Sequence, residues 1–354
     1  MPTIAAEPLL HFARSLFEAA GVPNDEAVIV ARSLVDANLC GHDSHGVIRV
    51  PQYVGFLRTG KLRCGAPLEV INETPALLAV DAGWGLGQVQ AYGMLDRLLP
   101  KARALGIAAG TMRQCGHTGR LGEYAEWAAE RKLAFLATVN SHGSGQRVAP
   151  PGGTEGRIST NPLCIGAPTP IEPVVLDIGT SACAEGKVRV AFQKGEAVPP
   201  GWLVDSCGRP TTDPGVLYNE PRGTILPFGG PQAYKGFGLG LVLDMLVGGL
   251  SGGRCTNPES PMPGVGNAVF FALFDIEHFG GVPHFLKETG NLTQYVRETP
   301  RAEGVSAITL PGDPERLSRL KRNAEGIPIS EGTWALLSKL AAEQNVTTPP
   351  LRKS

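Results

Sequence analysis

The sequence predicts an α/β protein of the α+β type, in which helices from both chain ends share one layer around a central body of mixed α and β elements. Three observations carry this. Apolar residues recur at helical spacing at the start of the chain and again at its end. From residue 68 onward, short strand-like apolar runs alternate with amphipathic helical ones. No internal repeat of about 20 to 50 residues points to a solenoid or propeller.

In chain order, Leu9, Leu10, Phe12, Ala13, Leu16, Phe17 and Ala20 define an amphipathic helix that Gly21 and Pro23 end. Asn24 then precedes DEAVIVARSLVDANLC, with acids in the first turn and Gly41 after the last apolar residue, so a second helix is expected, capped by Asn24. LEVINE and ALLAVDA read as strands, GQVQAYGMLDRLLPKARALG as a helix stopped by Gly106, IAAGTMRQ as a strand, LGEYAEWAAERK as a helix and LAFLATVNS as a strand. VVLDIGTS is a strand running into a turn, and the turn-rich PPGWLVDSCGRPTTDPG leads to a long helix in YKGFGLGLVLDMLVGGL. AVFFALFDIEHF reads as a buried strand, and helices are expected from Asn291 to Arg297, from Pro314 to Asn323 and in ISEGTWALLSKLAAEQ.

Composition excludes several classes. The 354 residues suit two domains at roughly 150 residues each. With 42% hydrophobic and 18% charged residues, burial can offset chain entropy, so the chain is not disordered. Lys+Arg 32 against Asp+Glu 33 leave a formal charge of -1, with no field to attract nucleic acid or an anionic membrane. The opening helix pair also lacks the basic face of a DNA-reading helix-turn-helix. Cys40, Cys64, Cys115, Cys164, Cys183, Cys207 and Cys255 are odd in number, scattered and never in CxxC spacing, which reads as free thiols. With no leader-like start and no run near ~20 apolar residues, a cytoplasmic protein is expected.

Four segments could carry chemistry. VDAGWGLGQVQ places Gly83, Gly85 and Gly87 between a strand and a helix, but the spacing is GxGxG, not GxGxxG, and no ribose-holding acid follows about 20 residues on. Gly236, Gly238 and Gly240 lie inside an apolar helical pattern and are expected to permit close helix packing. GHDSHGVIRVPQY holds His42 and His45 without a third ligand at zinc spacing, so no metal is expected. Were the chain to turn helical there, His45 and Arg49 would share a face at i, i+4, pairing a proton-exchanging imidazole with a guanidinium that can grip a carboxylate. In CGHTGRLGEYAEWAAE, a Gly-rich turn precedes a helix expected to start near Leu121, where free N–H groups would attract an anion beside Arg120. The last segment runs from Thr160 to the long apolar helix. Within it Asp177 ends a strand, facing a site or capping a turn, and Lys187 ends a run of small residues.

Taken in order, these segments resemble the second type of malate/L-lactate dehydrogenase family, which includes ureidoglycolate and sulfolactate dehydrogenases, diketogulonate reductase and cyclic imino-acid reductases. The matches are GHDSHGVIRVPQY, GHTGRLGEYAEWA, TNPLCIGAPTP, VLDIGTSACAEGK, PPGWLVDSCGRPTTDP, AYKGFGLGL and LPGDPERL, spanning nearly the whole chain.

The resemblance implies a non-Rossmann, mixed-sheet domain binding NAD or NADP (residues 71–289) and a helical domain from both ends (1–70 with 290–354). It also implies a homodimer with the active site near the subunit interface. By that likeness His45 exchanges the proton, Ser44 is its hydrogen-bonded partner, Arg49 clamps the carboxylate of a small substrate, and Thr160 touches substrate. The cofactor is held by His117, Thr118, Gly119, Arg120 and Leu121, by Ser141, by Asp177, Ile178 and Gly179, by Lys235, and by Pro311, Gly312 and Asp313. Arg120 and Arg147 are candidates for a 2'-phosphate. Lys187 stands where the imino-acid reductases carry an aspartate, which favours a 2-hydroxy acid over a cyclic imine. One relative's likeness makes His117 the base instead of His45. A nucleotide-binding protein without catalysis is the remaining alternative.

Overall fold

The computed structural model describes residues 1–257 and 264–352. After a two-residue strand β1 (Thr3–Ile4) come α1 (Ala6–Ala19) and α2 (Asn24–Leu39). Pro23, rather than Asn24, occupies the cap position of α2, and the Asn24 amide donates to Glu18 instead. A short 3-10 turn (Asp43–His45) separates α2 from α3 (Arg49–Arg58). Strands β2 (Glu69–Glu73) and β3 (Leu77–Asp81) lead to α4 (Gly87–Leu105), which ends at Gly106 in the left-handed region (φ 84°), as expected of a glycine stop. Then come β4 (Ile107–Cys115), α5 (Gly122–Glu130), β5 (Leu133–Asn140), β6 (Leu163–Ala167), β7 (Val174–Ile178) and α6 (Glu185–Lys194). Short strands β8 (Leu203–Val204), β9 (Pro210–Thr211) and β10 (Thr224–Ile225) precede α7 (Ala233–Leu250) and β11 (Asn267–Asp275). The chain ends through α8 (Val282–Arg297), α9 (Asp313–Glu325), β12 (Ile327–Pro328) and α10 (Glu331–Gln344), the last capped by the Ser330 hydroxyl.

Seven strands form one mixed sheet in the order β2-β3-β4-β11-β5-β6-β7. Only β3 and β4 are parallel neighbours; every other pairing is antiparallel. Following those pairings across the sheet, β3, β4, β5 and β7 all run the same way. Their C-terminal ends therefore open on one edge, and the loops leaving them can meet there. Alternate residues of central β11 (Val269, Phe271, Leu273) pack with Met94 and Leu95 of α4 and Tyr124 and Ala128 of α5 in the main core.

A second core joins the chain ends. Phe12, Leu16, Phe17, Leu34 and Tyr53 pack with Ile327, Leu337 and Leu340, and β1 pairs antiparallel with β12. Helices from both termini thus share a layer, as the sequence predicted. The turn-rich region has a small core of its own around Val148, Ile158, Val188, Leu203 and Ile225, under a three-stranded sheet ordered β10-β8-β9.

Besides the two-residue strands, β6, α6 and the first half of α8 escape sequence periodicity. In β6 the strand signal is broken by Gly166, which is small because Ala125 of α5 presses against it: a Cβ there would lie 2.8 Å from the Ala125 Cβ. In α6 Val188 is buried while Val190 and Phe192 are exposed, so no apolar stripe shows. The helix α8 begins at Val282, well before Asn291, and has no fully buried residue to mark its start.

All seven cysteines are free. Among the described residues no cluster of His, Cys, Asp or Glu could hold a metal ion. Among the described residues one segment, Gly230–Leu250, is long and apolar enough to cross a membrane by length and composition, and a third of it is buried. Its helix α7 packs against β5 and β11 of the sheet.

Candidate active site

The turn after β4 carries His117, and close backbone crossing positions it. A Cβ on Gly87 would lie 2.3 Å from the His117 carbonyl oxygen, and one on Gly116 would lie 2.5 Å from the Gly85 carbonyl oxygen. Gly87, which carries no phosphate fingerprint, and Gly116 let the start of α4 pass against this turn, whereas a Cβ on Gly85 would meet the Gln90 side chain. The Thr118 amide donates to Asn267 Oδ1 (3.1 Å), the Tyr124 hydroxyl donates to the Thr118 carbonyl (2.6 Å), and buried Leu121 leads into α5.

His45 comes from the helical layer. It ends the 3-10 turn Asp43–His45, and the extended Gly46 separates it from α3, so His45 and Arg49 are not on one continuous helix as expected. The turn is held from α2: Asn38 donates to Asp43 (2.6 Å) and accepts the Val47 amide (2.8 Å). Asn38 lies so close to Gly46 that a Cβ there would sit 2.2 Å from its Oδ1. Arg49 still reaches back, its Nε donating to the Ser44 carbonyl (2.7 Å) and its Nη1 to Gln52 (2.8 Å).

These two segments bring the imidazoles of His45 and His117 face to face, with ring centroids 5.1 Å apart and planes 5° from parallel. Burial pushes the His45 pKa down to about 3, and the Arg49, His42 and Arg120 charges push the same way. Burial, Arg49 and His45 likewise hold His117 well below the usual histidine range. Both rings are neutral at pH 7. His45 Nδ1 is enclosed without a hydrogen-bond partner, and the expected bond from Ser44 is not made.

The other expected residues distribute as follows. Ser44 packs against Gly186, where a Cβ would lie 2.8 Å from the Ser44 Cβ, so the first turn of α6 abuts the His45 turn, with Lys187 exposed beside it. The Thr160 carbonyl accepts the amide (2.8 Å) and the hydroxyl (3.0 Å) of Thr180. Ser141, just beyond β5, pairs with the Ser159 hydroxyl (2.8 Å). Ile178 ends β7 and Gly179 is exposed after it. The Phe228 amide donates to the Thr180 carbonyl (3.1 Å), and Gly236 packs on the Phe228 backbone, which brings the first turn of α7, with exposed Lys235, to the same edge. The Pro311 carbonyl accepts the Val175 amide of β7 (3.2 Å), and Gly312 (φ 97°) turns the chain into α9. Asp313 is held by Arg297 (2.8 Å), Arg316 and the Leu310 amide (2.7 Å); although its partial burial opposes ionisation, these donors keep its carboxyl well below the usual carboxylate range.

Two expectations need correction. The N-terminus of α5 is not left free for an anion, because Asp177 Oδ2 accepts the Gly122 amide at 2.7 Å. Asp177 thus caps a helix across the sheet edge rather than its own turn. The Arg120 guanidinium does not face a ligand either: it is buried, donating to Glu126 (2.9 and 2.7 Å) and Asp36 (3.1 Å). Sequence reasoning also missed Tyr53, whose hydroxyl lies 2.5 Å from His117 Nδ1, Gln88 behind it, and Glu315 of α9, 3.0 Å from His42 Nε2. Tyr53 follows Arg49 at i, i+4 on α3, a signal that was available; nothing near Gln88 or Glu315 announced them.

Two neutral imidazoles beside a guanidinium, on the open edge of a mixed sheet, make a site that can exchange a proton and hold a carboxylate. The profile of the malate/L-lactate dehydrogenase family matches residues 4–338. An L-lactate dehydrogenase from Cupriavidus necator is 34% identical over 342 residues, covering 96% of this chain and 97% of the relative. A solved Escherichia coli structure, provisionally assigned as a malate/lactate dehydrogenase, is 34% identical with TM-score 0.91, covering 98% and 96% of the two chains. The solved Δ1-piperideine-2-carboxylate reductase from Pseudomonas syringae is 30% identical with TM-score 0.82, covering 96% and 100%. The chain belongs to the malate/L-lactate dehydrogenase family. It is a dehydrogenase-type oxidoreductase.

Proposed function

We propose that this enzyme interconverts a small 2-hydroxy acid and its 2-oxo acid, with NAD or NADP as hydride carrier and His45, His117 and Arg49 at the reacting centre. The stacked imidazole pair beside Arg49 carries the reading. A bound nicotinamide would take the hydride in one direction and supply it in the other. The chain's own groups do the rest. Arg49 grips the substrate carboxylate, which fixes the carbon to be oxidised. In the oxidising direction the substrate O–H proton passes to an imidazole as the C–H electron pair leaves and the carbonyl forms; in reduction the same proton returns to the alkoxide oxygen. A carboxylate on Arg49 also cancels part of the repulsion that keeps His45 neutral, so substrate binding raises the proton affinity of the acid it needs.

The cofactor reading draws on the shared edge of β4, β5 and β7. The turn from His117 to Leu121, Ser141, Ile178 and Gly179 after Asp177, Lys235, and the α9 start at Pro311 and Gly312 would hold it there, with Arg120 and Asp313 shaping the edge from within their ion pairs. Lys187 and Thr160 are assigned to the substrate side, with Ser44 supporting the His45 turn. Residues 71–289 form the cofactor-binding domain in this reading, and 1–70 with 290–354 the helical one. The exposed α7 face (Val242, Met245, Leu246 and Leu250) supports a homodimer, and free thiols support a cytoplasmic enzyme.

The test is a panel of 2-oxo acids, 2-hydroxy acids and cyclic imine carboxylates, run with both nucleotides and read by nicotinamide absorbance. Turnover of a hydroxy-acid pair is expected. His45→Ala should lower kcat by ~100-fold or more, as for a general acid/base, and Arg49→Ala should mainly raise KM. Imine reduction alone, or near-normal rates in both variants, would reject the assignment.

A further inference from the structure

The buried side of His117 holds a chain of hydrogen-bonded polar groups. Tyr53 Oη lies 2.5 Å from His117 Nδ1 and 3.3 Å from Gln88 Nε2. Both Tyr53 and Gln88 are buried. An amide nitrogen can only donate, so the Gln88 bond uses a lone pair of the phenolic oxygen. The single phenolic hydrogen then has two acceptors, His117 Nδ1 at 2.5 Å and the more distant His117 carbonyl at 3.4 Å. The much shorter distance favours the nitrogen. An Nδ1 that accepts cannot also carry hydrogen, and a neutral imidazole has only one.

We propose that Tyr53 is a positioning residue which, backed by Gln88, locks His117 as the neutral tautomer with its hydrogen on Nε2. Burial pushes the Tyr53 hydroxyl up to about 12, so it keeps the hydrogen it donates. The consequence concerns the division of labour within the proposed reaction, and it rests on that reading of the site. A ring capped at Nδ1 and protonated at Nε2 is a hydrogen-bond donor toward the substrate oxygen, and it has no free lone pair to accept the hydroxyl proton. Proton exchange falls to His45, the other ring of the stacked pair. His117 holds the oxygen while His45 moves the proton.

Long-range proton–nitrogen correlation spectra of the 15N-histidine-labelled protein report the tautomer directly, with His117→Asn providing the assignment. The wild type is expected to show His117 with a directly bonded hydrogen on Nε2 and a bare Nδ1. In Tyr53→Phe that pattern should be lost, with kcat falling about 10-fold or more while KM for the 2-oxo acid stays within about twofold. Gln88→Leu, which frees the phenol to turn away, should move the spectrum the same way without touching His117. A wild-type His117 bearing hydrogen on Nδ1 would overturn the proposal, as would a Tyr53→Phe protein with unchanged tautomer and unchanged kcat. The spectrum needs no turnover, so inactivity on the substrate panel would sink the proposed reaction and leave this test standing.

Discussion

At the scale of single residues, the site depends on groups kept neutral by burial. Glu123 shows the same physics in a carboxyl. It sits in the first turn of α5 and accepts the Ser33 hydroxyl at 2.9 and 2.8 Å, and burial raises its pKa to about 8 although Arg120 and Ser33 pull the other way. Between its ordinary value of 4.5 and about 8, the folded state keeps a proton that the unfolded chain releases, so this group makes stability fall as pH rises through that window. Glu123→Gln should therefore be more stable than wild type at pH 8 and about equal at pH 4. Urea titrations at both pH values check it, and a difference that does not change with pH would refute the assignment.

At the scale of elements, the site is assembled by ties between segments distant in sequence. Arg120, just before α5, pairs with Glu126 of α5 and Asp36 of α2, and Arg319 of α9 pairs with the same Asp36. One buried guanidinium thus helps align three helices whose ends carry the His45 turn, the His117 turn and the Pro311 to Asp313 turn. Removing one partner of a buried ion pair leaves the remaining charges uncompensated, at a cost of about 3 kcal/mol or more. Arg120→Met should lose about that much in urea unfolding and lower activity by misaligning the turns, although its side chain touches no substrate in the proposed reaction. A loss under about 0.5 kcal/mol would mean that Arg319 alone holds the junction.

At the scale of the whole molecule, α7 packs one side on the sheet and leaves the other uncovered. Val242, Met245, Leu246 and Leu250 are 51%, 56%, 47% and 57% exposed, an i, i+4 stripe of apolar side chains. In the proposed homodimer this stripe is covered. Met245→Glu combined with Leu246→Lys should shift sedimentation from dimer to monomer, and a variant that still sediments as the wild-type dimer would remove α7 from the interface. Much of the architecture was legible in one dimension, because helical periodicity, glycine stops such as Gly106 and the apolar run of β11 are local consequences of burial. The segments bearing His45, Arg49 and His117 could be singled out too, from residue types suited to proton exchange and anion binding. What only the tertiary structure decided was partnership: that Asp177 caps α5, that Arg120 turns inward to Asp36 and Glu126, that Gly87 makes room for the His117 turn, and that Tyr53 meets His117. Hydrogen bonds and ion pairs depend on distances of a few ångströms, and for residues dozens of positions apart those distances are set by packing, on which local sequence patterns carry no information.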